Sequence, residues 1–128
     1  MADSRQAAGS DTTALARSAA EAIRGLNHAT RHQAGLGQPA VAYDILGALS
    51  LAASRIGQAL AQITRYLDRA LAAGRLGHDP ARAVDATTVF LCDAAASAAA
   101  LAGDLDAAQQ QLAPVHGRPA RPGRKDTR

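Results

Sequence analysis

The chain has 128 residues, enough for one domain, but its 48% hydrophobic content is dominated by Ala, with one Phe, two Tyr, one Met and no Trp. At about 25 cal/mol per Å² an Ala-lined helix face contributes little, so a single small bundle of this composition is marginal alone, and self-association is the expected remedy. The net charge of +3 sits in Arg118, Arg121, Arg124, Lys125 and Arg128, which leave residues 1–117 slightly negative and exclude a broad nucleic-acid-binding face on the folded part.

Residues 1–10 are small and polar and are expected to be disordered. Their acids, and the lack of an apolar run, do not match a signal peptide. Ser10 or Asp11 offers an N-cap to a first helix over about 12–33. Leu15, Ala19, Ala22, Leu26 and Ala29 form its apolar stripe, and Arg17, Glu21, Arg24, His28 and Arg31 a polar stripe of the same period.

Gly35, Gly37 and Pro39 mark a break. A second helix is expected over about 40–73. In it Ala42, Leu46, Leu49, Ala53, Ile56, Leu60, Ile63, Leu67 and Ala70 recur with a mean spacing of 3.5, the period of a coiled-coil seam. Gly74 is placed to end the helix in a left-handed conformation. Asp79 and Pro80 then read as N-cap and first residue of a third helix reaching about 112, before Pro114. Its seam is Val84, Thr87, Leu91, Ala94, Ala98, Leu101, Leu105, Ala108 and Leu112. Two helices of similar length joined by a short connection must lie antiparallel. Ala94–Ala100, broken only by Ser97, should let the facing backbone approach closely, with Ile56 and Leu60 filling the remaining gap. The fold class is therefore all-α: an antiparallel, coiled-coil-like hairpin of two long helices with a shorter N-terminal helix packed along it, a three-helix bundle over residues 11–114. Residues 115–128 read as a disordered basic tail.

Chemistry-bearing patterns are sparse. His28 and His32 are four apart, the spacing of a two-histidine metal site, but lack companion ligands, so a solvated polar face is the reading and no metal or cofactor is expected. Cys92 lies in an apolar run beside Asp93, which opposes a thiolate, and reads as a small buried hydrophobe in a reducing, cytoplasmic compartment. Tyr43 and Tyr66 are placed at the bundle rim. Gln58, Gln62, Gln109, Gln110 and Gln111 are read as polar flanks of the seams. The most apolar window, residues 86–103, is mostly Ala and carries Asp93, which argues against a membrane span. No phosphate-binding loop, dinucleotide-binding loop or nucleophile elbow is present, and an enzyme is not expected. The polyanion candidates are the five basic tail residues on a flexible segment and, along one helix face, Arg17, Arg24 and Arg31.

The stretch from Tyr43-Asp44-Ile45-Leu46-Gly47 through Gly74-Arg75-Leu76 and Asp79-Pro80, to Leu105-Asp106-Ala107-Ala108-Gln109-Gln110, resembles a group of small helical proteins of high-GC actinobacteria, some of them accompanying plasmid or integrative-element genes. The resemblance covers residues 40–113 and implies no activity beyond an accessory part in DNA maintenance or transfer. The secreted helical hairpins with a Trp-x-Gly turn share size and topology, but that turn is absent, which sets them aside. The expected function is a non-catalytic assembly or adaptor module that forms a homodimer, with its hairpins paired into a four-helix core, or binds another helical protein. The alternative is a DNA-associated factor acting through the basic tail.

Overall fold

A computed structural model describes residues 2–115. Its elements are α1 (Ala2–Ala29), α2 (Gln33–Leu36), α3 (Pro39–Ala72) and α4 (Pro80–Leu112), with no strand among the described residues. The chain divides into two compact units, Met1–Gln38 and Pro39–Arg128. The basic tail lies outside the described residues.

In the first unit, α1 starts about ten residues earlier than the composition suggests. Ala7 and Ala8 favour helix, Asp3 adds an acid to the first turn, and the Thr12 and Thr13 hydroxyls donate back to the Ala8 and Gly9 carbonyls, each at 2.9 Å. Ser10 and Asp11 are thus interior residues and do not cap the helix. The helix also stops sooner, at Ala29. There Thr30 turns its hydroxyl onto the Leu26 carbonyl at 2.9 Å, and the chain folds back through the single turn of α2. Gly35 packs so closely on the Ala29 carbonyl that a Cβ would collide with that backbone oxygen, so this position admits glycine alone. No residue of α1 is buried.

The second unit is the hairpin. α3 ends as the sequence predicts: Gly74 is left-handed (φ 67°), its N–H donates to the Leu71 carbonyl at 3.1 Å, and the Arg75 N–H donates to the Ala70 carbonyl at 3.0 Å. This pair of bonds closes the helix in a Schellman motif. At the other side of the turn, Pro80 opens α4, but Asp79 is itself left-handed (φ 48°) and its side chain makes no capping bond. A left-handed backbone there supplies the change of direction that two antiparallel helices need, and Asp is among the few residues besides Gly that visit it. Leu76 is half-buried in the turn, where it lines a hollow with Leu67, Pro80 and Val84.

α3 and α4 pack along their length. The Ser50 hydroxyl donates to the Ala102 carbonyl at 2.9 Å, the Gln109 amide donates to the Tyr43 carbonyl at 3.2 Å, and Gly57 faces Ala95. Seven residues up α3 match seven down α4 at each step, so the pair keeps one register throughout. A serine hydroxyl reaching the backbone of the opposite helix shows how close the two axes come.

The phase of the contact differs from the sequence expectation. On α3 the sheltered residues include Ala42, Leu46, Leu49, Ser50, Ala53, Gly57, Leu60, Thr64, Leu67, Ala70 and Leu71; on α4 they are Val84, Thr88, Leu91, Ala95, Ala98, Ala102, Leu105, Gln109 and Leu112. The predicted α3 seam is retained except at Ile56 and Ile63, and on α4 Thr87, Ala94, Leu101 and Ala108 give way to the residue that follows each. Ile56, Ile63 and Leu101 are about half exposed, while Gly57, Thr64 and Ala102 take the positions assigned to them. Leu60 fills the inter-helix gap as expected and Ile56 does not. Small residues win these places because they let the backbones come together, whereas branched side chains would hold them apart. The buried set is accordingly Ala53, Ala70, Val84, Ala98 and Ala102.

Candidate functional site

The residues singled out for chemistry are not brought together. Arg17 and Arg24 are exposed on α1, and Arg24 pairs with Glu21 at 3.2 Å. With 81% and 69% of the two side chains accessible, that pair is screened by water. Arg31 and His32 fall beyond the end of α1, which removes both the third member of the arginine stripe and the i, i+4 histidine geometry. Among the described residues, no three His, Cys, Asp or Glu side chains form a group that could hold a metal. Cys92 is exposed, while its neighbour Leu91 keeps the sheltered place that the predicted seam assigns to it. Gln109 is half-buried between the helices and bonds the Tyr43 carbonyl, so it belongs to the contact and not to its flank. Tyr66 is exposed, with the Arg75 guanidinium 5.9 Å from its ring centre, at the outer limit of a cation–π contact. Arg118, Arg121, Arg124, Lys125 and Arg128 lie outside the described residues.

A surface emerges instead from the contact phase. Leu49, Ile56 and Ile63 each precede a contact residue of α3, and Thr87, Ala94, Leu101 and Ala108 each precede one of α4. One residue back along a helix is a fixed rotation about its axis. Across the antiparallel pair the two rotations lead to the same side, because the second helix is reversed both in direction and in the side from which it approaches. The residues so placed therefore gather on one common face, edged by Tyr66 from α3 and Phe90 from α4. Ile56 (53% exposed), Ile63 (47%), Leu101 (52%), Tyr66 (58%) and Phe90 (73%) form an apolar stripe open to its surroundings. Such a stripe marks an interaction surface.

The opposite face also exposes apolar side chains at its edges, Leu51 (50%) and Val89 (60%), but its middle is lined by small residues. Ser50, Ser54, Gly57, Ala95, Ala99 and Gly103 line an open, shallow groove there. Asp68, Asp85 and Asp106 occupy the flanking heptad positions on that side, so the groove face is acidic.

Charge is also sorted between the edges of the apolar face. One residue before its apolar row, α3 carries Arg55 and Arg69; at the equivalent position α4 carries Asp93, with Asp104 nearby. The α3 edge is basic and the α4 edge acidic.

By length and composition α3 and α4 are apolar enough to cross a membrane, with mean hydropathies of 1.2 and 1.4 in their most apolar windows and 6% of each window buried. Comparison with family models, curated proteins and solved structures gives no match to this chain.

Proposed function

We propose that this chain is a non-catalytic helical interaction module that assembles through the α3–α4 hairpin. The supporting observation is the placement of Ile56, Ile63, Leu101, Tyr66 and Phe90: large apolar side chains exposed together on one face, while the smaller Gly57, Thr64 and Ala102 hold the neighbouring contact positions. A helical partner laid along that face would meet Ile56 and Ile63, seven residues apart on α3, with Tyr66 three residues further on. The module works in an aqueous compartment, taken here as the cytoplasm. Asp93 and Asp104 bound a charge-free run in α4, residues 94–103, that is half the length a hydrocarbon core requires, and the run between Asp44 and Arg55 in α3 is equally short. The test is a concentration series by light scattering on the full chain. Association that is lost in Ile56→Asp, with helicity kept by circular dichroism, supports the module; unchanged behaviour of that variant removes the face from consideration.

A second reading rests on the basic residues Arg118, Arg121, Arg124, Lys125 and Arg128, which set a segment of charge +4 against a nearly neutral body. These would contact phosphates in a salt-dependent way as a DNA-associated accessory role. Duplex binding at low salt that disappears on deleting residues 117–128 supports that role, and no binding at low salt ends it.

A further inference from the structure

We propose that the occupant of the apolar face is a second copy of this chain, packed about a two-fold axis parallel to the helices, so that α3 of each copy lies over α4 of the other. The inference rests on the assembly reading above and deepens it by naming the partner and its orientation. Closed homo-oligomers are symmetric, which leaves two ways to place one apolar face against its copy. With the axis across the helices, α3 covers α3 and α4 covers α4. The rim that carries Arg55 and Arg69 then runs beside its own copy, and the rim that carries Asp93 beside its own, so like charges share each rim. With the axis along the helices the basic edge of α3 runs beside the acidic edge of α4 on both rims.

The register makes the second arrangement specific. Gly57 is level with Ala95 in the hairpin, and the heptads stay in step, so Arg55 is level with Ser97 and stands four residues from the level of Asp93. Four residues are about 6 Å along a helix, within reach of a guanidinium across adjacent helices. Ile56, level with Ala96, would then lie nearest Ala94 of the second copy, Ile63 nearest Thr87 and Leu49 nearest Leu101. On the other broad face the same arrangement would set Asp68, level with Val84, beside Asp85 of the second copy.

Charge reversal across copies provides the test. Arg55→Asp and Asp93→Arg are each expected to weaken self-association about tenfold, since two attractive rim contacts per dimer become repulsive. Mixing the two single variants restores it, because in the mixed dimer Asp at position 55 meets Arg at position 93 on one rim and Arg55 meets Asp93 on the other. A contact within one chain could not be rescued by mixing. The readout is sedimentation velocity on full-length chains, with circular dichroism to verify that each variant is folded. Dimers that dissociate in Ile63→Asp, and whose charge variants recover on mixing, support the arrangement. Dimers that dissociate in Ile63→Asp but whose charge variants are indifferent, or do not recover on mixing, overturn it while leaving the assembly reading intact; dimers indifferent to Ile63→Asp overturn both. A wild-type chain that stays monomeric at every concentration overturns the second copy altogether and leaves the face to another partner.

Discussion

The two broad faces of the hairpin both carry exposed apolar residues but differ in what lines their middle. One is lined by Ser50, Gly57, Ala95 and Gly103 and is acidic; the other exposes Ile56, Ile63, Leu101, Tyr66 and Phe90. Between them runs a contact built from buried Ala53, Ala98 and Ala102. The difference teaches that a seam can be closed by its smallest members. Close approach of two backbones gains dispersion contacts and a bond from Ser50 to the opposite chain, and it leaves the larger apolar area free for a further layer.

Adjacent residues Leu101 and Ala102 offer the sharpest way to break the comparison. Ala102→Leu inserts bulk into the contact row and is expected to cost about 2–3 kcal/mol in urea unfolding. Leu101→Ala, on the exposed face, should change the hairpin at limiting dilution by less than about 0.5 kcal/mol while weakening association. Equal losses from both would erase the distinction between the faces. Gly74→Ala forces a side chain into a left-handed backbone at the turn and should lower stability by about 1–2 kcal/mol, read from the same unfolding curves.

A smaller effect of the opposite sign is expected at Thr88, whose buried hydroxyl has no protein hydrogen-bond partner. Thr88→Val keeps the shape and removes the orphaned oxygen, so stability should rise by about 1 kcal/mol; a loss would mean that the hydroxyl is satisfied after all. Smallest of all is Arg24→Ala, which removes an exposed pair on α1 and should leave the melting temperature within error at moderate salt.

The architecture was legible because its signals are local. Gly74 marked the end of one long helix and Pro80 the start of the next, and both helices repeat every seven residues. The phase was not. Ile56 and Gly57 sit at equal distances from the centre of the seam, and a hydropathy reading prefers Ile, since it has no means of weighing backbone approach. The phase also places Gln109, read as a flank, in the contact, whereas Cys92, read as buried for its apolar neighbours, is exposed beside the retained Leu91. The composition of residues 2–10 hid a different signal: Ala7 and Ala8 extend the helix, while Gly9, Ser10 and Asp11 read as a boundary. The apolar face could have been found by asking which large residues remain once small ones make the contact.

The uniformity of that contact has a further consequence for how the hairpin keeps its alignment. If α4 slid by one heptad, Gly57 would meet Ala102 or Thr88 and Thr64 would meet Ala95 or Ala81, pairings nearly as compatible as the native ones. The rows resemble a ladder with interchangeable rungs, and such a ladder does not choose its own alignment. What chooses is the short link of residues 73–79, locked by the left-handed Gly74 at one end and the left-handed Asp79 at the other. This turn is a ruler, and lengthening it would turn one hairpin into a set of sliding neighbours.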